Sequence, residues 1–325
     1  MKLRVIRTEN TNPYENLAAE EYMTSNVQED EVILFLWQNE KTVVIGKNQN
    51  PWRECNVERI KADGVRLARR MSGGGAVYHD MGNLNFTFIA RDDLYDINKQ
   101  TDVILLACRL LGINATKNGR NDLVIDERKF SGHAYYSSAG KNYHHGTIMV
   151  NVNDEDMPKY LRVSDAKLQS KGVASVRSRV VNLADYLPWK QTPKMVYETE
   201  VALIRAFGRT YGGETVEEAV PEIPQDLIDK YSSEEWRYGT RIAFEKEIEH
   251  RFDWGEVQVQ LAMKGGNIDK CRIYSDSLET EMFGVLEGML AGCRYDATDI
   301  TNLEVPAGIS DRAHEVLGLI ASSID

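Results

Sequence analysis

An α+β protein of two domains is predicted by three features of the 325-residue chain. Strand-like runs with a period of two are interleaved with helical runs of period 3.6. The length suits two domains at a prior of roughly 150 residues each. Near residues 221–230 the composition turns polar, and a newly patterned unit begins around Phe244. The expected division is a large domain over 1–245 and a small α/β domain over 246–325.

Each element has its own signal. Residues 3–7 read as a strand. Asn12-Pro13 is an N-cap followed by proline at the first helical position, opening a helix over 14–24. Residues 31–37 and 42–45 are strands joined by the polar turn 38–41. A helix over 56–63 stops at Gly64 and leads into a strand at 65–69. Leu84, Phe86 and Phe88 alternate with Asn85 and Thr87, the pattern of a half-buried strand. Residues 101–111 have helical spacing and end at Gly112, a favourable C-cap residue. Residues 129–136 and 143–152 flank a polar stretch and form a hairpin. Thr192-Pro193 opens a helix with Val196, Leu203, Ile204 and Phe207 on one face. In the second unit, strands at 252–263 and 268–274 meet at the Gly265-Gly266 turn, and a helix follows over 278–291.

Composition removes several classes of function. Hydrophobic residues make up 42% and aromatics 9%, enough for a folded core. A net charge of −11, from 39 basic and 50 acidic residues, argues against broad binding to a nucleic-acid backbone. Apolar runs fall far short of the roughly 20 residues that span a bilayer, and no signal-peptide stretch opens the chain. Cys55, Cys108, Cys271 and Cys293 are widely spaced with no CxxC pair, as expected of free thiols in a reducing compartment. A cytoplasmic protein with no membrane association follows.

The chemistry gathers around Arg69-Arg70-Met71-Ser72-Gly73-Gly74-Gly75-Ala76-Val77-Tyr78-His79-Asp80. Glycines free the backbone for positive φ and let a ligand approach bare N–H groups, which suits a phosphate or carboxylate. Arg70 at the lip could add bidentate contacts. The alternative is a tight turn between strands. Neither GxxxxGK[ST] nor GxGxxG is present, so a nucleotide would be held by another kind of loop.

Gly119-Arg120-Asn121-Asp122 and Lys129-Phe130-Ser131-Gly132-His133-Ala134 follow. Asp122 could hold a magnesium ion between phosphate oxygens. Lys129 could offset charge between a carboxylate and a phosphate. A turn carboxylate and a solvated lysine are the plainer alternatives. His144 and His145 are neighbours on a strand, so they face opposite ways and do not share one metal ion. Residues 162–179 hold five basic side chains against one acid, interrupted by Gly172-Val173-Ala174-Ser175-Val176, as a charged loop or lid would.

These segments, in this order, resemble the lipoate–protein ligase A family. The resemblance rests on the RRMSGGGAVYHD run, Gly119 to Leu123, Lys129 to Ala134, His144-His145-Gly146-Thr147 and residues 172–180. Asn50-Pro51-Trp52-Arg53 and Trp236-Arg237-Tyr238-Gly239 fit too, so it covers nearly the whole chain. Met71 and His133 stand where the family often has smaller residues.

The resemblance implies a mixed-sheet catalytic domain similar to that of biotin ligases, with a small C-terminal accessory domain. It implies that ATP and Mg2+ activate lipoate as lipoyl-AMP, and that the acyl group passes to a carrier lysine. Lys129 is then the catalytic residue. Arg70, Ser72, Gly73, Gly74, Gly75, His79, Lys129 and His145 bind lipoate. Arg70, Gly75, Ala76, Val77, Tyr78, Asn121, Asp122 and Lys129 bind nucleotide, and Asp122 holds the metal. Expected partners are lipoyl domains of 2-oxoacid dehydrogenase acyltransferase subunits and the glycine-cleavage H protein. An acyl transferase using a cysteine, or a non-catalytic lipoate binder, are the rival readings.

Overall fold

The computed structural model describes residues 1–119, 122–153, 155–162 and 180–324. Its centre is an eight-stranded mixed sheet in the order β11-β1-β2-β6-β10-β9-β8-β7. The strands are β1 (Lys2–Arg7), β2 (Glu31–Trp37), β6 (Asn83–Arg91), β7 (Thr116–Asn118), β8 (Asp122–Ile125), β9 (Arg128–Ser138), β10 (Lys141–Met149) and β11 (Thr215–Glu218). β1 runs parallel to β2 and β11, and the remaining pairs are antiparallel. A second sheet, order β4-β3-β5, holds β3 (Thr42–Ile45), β4 (Arg66–Arg69) and β5 (Val77–His79). The turn at 38–41 therefore carries the chain from one sheet to the other rather than closing a hairpin.

One face of the large sheet packs on two helices, Ile97–Leu110 and Thr192–Tyr211. The second buries Met195, Val196, Ala202, Leu203, Ala206 and Phe207, a stripe of helical period, and ends at Gly212 in the left-handed region. The other face packs on the helix Pro13–Asn26, whose N-cap Asn12 accepts from the Tyr14 amide. Helix Gln225–Ser232 packs there as well, so the polar stretch at 221–230 joins this layer and is not a linker.

Strand β6 departs from the half-buried expectation, since Asn83 to Ala90 are buried on both faces. Phe86 and Phe88 face the helices, while Asn83, Asn85 and Thr87 face a polar seam beneath the small sheet. A third sheet follows, the meander β12 (Lys246–Phe252), β13 (Gly255–Lys264) and β14 (Asn267–Ser275), with the Gly265-Gly266 turn at positive φ. It builds a separate core with helices Glu281–Leu290 and Arg312–Ser322.

Three imidazoles are buried in these layers. Burial, with Arg70 and His145 nearby, pushes His79 down to about 3. Burial, with Lys129, Lys117 and His145 nearby, does the same to His133, and burial also drives His144 far down. The folded chain holds them neutral while the unfolded chain protonates them below pH ~6.5, so stability must fall as pH falls through that value. Each contributes about 1.4 kcal/mol of loss per pH unit in that window. Urea unfolding at pH 7, 6 and 5 should give falling stability, with a shallower pH slope in His79→Asn; pH-independent midpoints would contradict this reading.

Candidate active site

A cavity of about 300 Å³ lies between the polar seam of the large sheet and the loop that joins β4 to β5. The loop is shaped by Arg70. Its Nη2 donates to the carbonyls of Gly73 at 2.6 Å and Gly75 at 2.8 Å, Nη1 donates to that of Val44 at 3.2 Å, and Nε donates to Ser72 Oγ at 3.0 Å. Burial pushes this guanidinium down to about 10, which leaves it a cation at neutral pH. A buried charge is tolerated only when polar groups surround it, and here backbone carbonyls do so.

Behind the loop runs a buried chain of hydrogen bonds. Ser72 Oγ lies 2.7 Å from His145 Nε2, and His145 Nδ1 lies 2.8 Å from Glu20 Oε1. Glu20 also accepts from Thr87 Oγ1 at 2.6 Å, and Thr87 accepts from Trp37 Nε1 at 3.0 Å. Because Nδ1 meets a carboxylate, it carries the proton, and Nε2 accepts from the Ser72 hydroxyl. His144 faces the other way, with Nε2 at 2.9 Å from His133 Nδ1 and Nδ1 at 3.0 Å from Gln100 Oε1. The two neighbouring histidines thus serve separate networks.

Lys129 sits at the start of β9, where the register shift between Leu123 and Val124 re-aims the side chain. Its Nζ is 2.7 Å from Asp122 Oδ1, and both groups are half-exposed. Gly132 leaves it room, since a Cβ there would lie 2.8 Å from Nζ. At ligand binding this exposed pair is easily rearranged, because solvent-screened ion pairs hold little net energy.

Of the residues expected from sequence, Arg70, Gly74, Gly75, Ala76, Val77, Tyr78, His79, Lys129 and His145 line the cavity. Ser72 stands behind it on His145, and Asp122 joins it through Lys129. Gly73 lies against the segment that follows β14: a Cβ there would sit 2.1 Å from the Ser277 carbonyl. Asn121 and the basic segment 163–179 lie outside the described residues. Met71 packs in the cluster beside Trp236 and Leu227, and His133 stacks edge-on to Phe86.

Sequence reasoning missed Leu17, Trp37, Asn85 and Thr147 in the lining, and Glu20 behind it. A signal was available, because Asn16, Glu20 and Thr24 put three polar groups at helical spacing on the buried face of one helix. The alternating Asn83, Asn85 and Thr87 marked the facing strand.

The C-terminal unit reaches this loop directly. Gly74 N donates to the Ser277 carbonyl at 3.0 Å, Ser275 N to that of Asn48 at 2.9 Å, and Lys47 pairs with Glu281 at 2.7 Å. Arg53 pairs with Glu256 at 2.6 Å and with Glu249.

Comparison with known proteins matches residues 12–207 to the lipoyl protein ligase A/B catalytic domain. Residues 241–305 match the bacterial lipoate protein ligase C-terminus. A lipoate-protein ligase A of Psychrobacter cryohalolentis is 40% identical over 313 residues, spanning 92% of this chain and 91% of that protein. The structure of P. falciparum LipL1 in complex with lipoate superposes with a TM-score of 0.84 at 28% identity, covering 98% of this chain and 99% of that one. A lipoate-protein ligase A bound with ATP gives 0.64 at 28% identity, over 74% and 99%. A bipartite lipoate protein ligase from Thermoplasma acidophilum, studied with its E2 lipoyl domain, gives 0.66 at 31%, over 75% and 99%.

Gly73→Ala should cost about 1–3 kcal/mol, because the obstructing Ser277 atoms are backbone and must shift. Gly75→Ala meets nothing within 4 Å and should stay within about 0.5 kcal/mol of the parent. Thermal unfolding of the two variants checks this; equal losses would contradict it.

Proposed function

The chain belongs to the lipoate–protein ligase family, and from that membership we propose how its own residues carry the two half-reactions. The enzyme is an ATP-dependent, AMP-forming ligase that attaches lipoate to proteins. Lipoate enters the cavity with its carboxylate toward Lys129 and its chain toward Trp37. A carboxylate oxygen attacks the α-phosphorus of ATP, the bond to the β-phosphate oxygen breaks, and pyrophosphate leaves. The amine of a carrier lysine then attacks the acyl carbon of lipoyl-AMP, losing a proton as the amide forms and AMP departs.

The observation that carries this assignment is the position of Lys129. Its half-exposed side chain pairs with Asp122, and it lines the same cavity as Gly74 and Gly75 of the glycine loop. A fixed cation there offsets the negative charge of two groups that must approach each other. Gly75 to Tyr78 offer the backbone edge for the nucleotide, and Arg70 preorganises that edge from behind. Asn121, beside Asp122 in sequence, belongs to the same nucleotide site.

Asp122 fits magnesium, a hard cation commonly held by one or two carboxylates with substrate phosphates completing its shell. Bound there, the ion would screen the phosphates as charge develops on the leaving pyrophosphate. The chain's own contribution is to keep Asp122 beside Lys129, so that the phosphates arrive between one anion-seeking and one cation-seeking group.

The carriers are lipoyl domains, by the family's activity. Those of 2-oxoacid dehydrogenase acyltransferase subunits and the glycine-cleavage H protein are the proposed set. Among the described residues no helix is long and apolar enough to cross a membrane, and the proposed location is the cytoplasm. Residues 1–245 form the proposed catalytic domain and 246–325 the accessory domain, supported by the separate core of the latter.

Pyrophosphate release with lipoate, ATP and magnesium, and no carrier, tests the assignment. Lys129→Ala should lower release about 100-fold or more while the fold survives, since Lys129 is half-exposed. Undiminished release would remove Lys129 from the chemistry, and transfer only from an already lipoylated protein would replace ligase by transferase.

A further inference from the structure

We infer that Tyr186 is a positioning residue for the ligase reaction: its hydroxyl braces a strained turn and so sets where Lys129 stands in the cavity. The inference rests on the proposed role of Lys129.

Strands β8 and β9 are joined by two residues, since Ile125 pairs with Arg128. Both of them, Asp126 and Glu127, lie at positive φ, 49° and 63°. Two-residue hairpin loops of this kind suit Asn-Gly, because glycine carries no Cβ to clash there. Aspartate tolerates the left-handed region, whereas glutamate has no short polar group to offset it. The turn is therefore strained by its own residues, and a contact from outside must hold it.

That contact is one hydroxyl. Tyr186 Oη donates to Asp126 Oδ2 at 2.9 Å and accepts from Arg128 Nη2 at 3.1 Å. The residues on either side of Glu127 are thus tied to a single point. Tyr186 itself stands on a firm base, because it follows the helical turn Leu183–Asp185, whose Leu183 is fully buried. Asn182 makes two side-chain hydrogen bonds to the Val152 backbone, both of 2.9 Å. Ala184 N donates to the Val150 carbonyl at 2.8 Å.

Lys129 lies one residue beyond the braced turn. Val124 pairs with Lys129 and Leu123 with Ser131, so Phe130 has no residue opposite it. This bulge separates the hairpin tip, 124–129, from the regular ladder. The 180–186 segment holds the tip from outside: Val181 N donates to the Lys129 carbonyl at 2.9 Å, and Tyr186 grips the turn. The Lys129 side chain pairs only with a half-exposed Asp122, a contact of little net energy, so the backbone does the placing. A misplacement of about 1 Å at a reacting centre can cost roughly 100-fold in rate.

The test is a double-mutant cycle on lipoate-dependent pyrophosphate release by the full chain, with Lys129→Ala run alongside. Tyr186→Phe keeps the ring and removes both hydrogen bonds. It should lower kcat about tenfold, with KM for lipoate changed less than about twofold. In a chain carrying Asp126→Asn and Glu127→Gly, the turn is held by its own residues. There the same Tyr186→Phe should change kcat by less than about twofold. A tyrosine that merely stabilises the fold would lower the unfolding temperature and leave kcat unchanged. That result overturns the inference, and so do equal kcat losses in the two backgrounds. Either leaves the ligase reading intact if release collapses in Lys129→Ala, whereas undiminished release in Lys129→Ala overturns both.

Discussion

Two adjacent arginines, held by backbone carbonyls rather than carboxylates, are the constraint on which the site depends. Arg69 ends the short strand β4 and Arg70 follows it directly, and successive side chains of an extended segment leave on opposite faces. Arg69 donates to the carbonyls of Lys47 and Gln49 at 2.8 Å and to that of Trp236 at 2.9 Å, tying the 46–49 loop to the 236–237 segment. Arg70 gathers the glycine loop in the other direction. A guanidinium spreads its donors in a plane and can satisfy several carbonyls at once, which a lysine cannot. One dipeptide thus ties the glycine loop, the 46–49 loop and the 236–237 segment together.

The rest follows from that anchoring. With its carbonyls drawn to Arg70, the loop leaves Gly75 to Tyr78 along the cavity and turns Gly73 and Gly74 toward the C-terminal unit. Ser277 then meets the loop through backbone alone, which is why glycine is needed at 73. Behind it, Ser72, His145 and Glu20 link the loop to the large sheet and to the first helix. Lys129 comes from β9, so the proposed catalytic cation and the loop are positioned by different elements. Both line the cavity.

Much of this was legible in the sequence, and the reasons are physical. The strands at 31–37 and 42–45, the capped helix from Asn12 and the long helix from Thr192 carry strong periodic or capping signals. Three glycines exceed what a turn needs, which marks the RRMSGGG run as a candidate ligand loop, and its Arg70, Gly74 and Gly75 line the cavity. The inward turn of Arg70 onto its own loop was not, since a sequence does not say whether a guanidinium meets a phosphate or a carbonyl. Asn85 and Thr87 were read as solvent-facing because alternation alone cannot distinguish water from a cavity. Glu20 was hidden for the same reason, as one acid among many on a helix. The sheet crossing at 38–41 also escaped, because a short polar link looks the same whether it closes a hairpin or joins two sheets.

The most direct test of the central role of Arg70 is hydrogen–deuterium exchange in Arg70→Lys, which keeps the positive charge and removes the fork. If carbonyl gathering shapes the loop, amides across residues 72–78 should exchange about tenfold faster or more, with β1 and β2 unchanged. Unaltered protection across 72–78 would contradict the account, and would leave Arg70 as a simple charge beside the cavity.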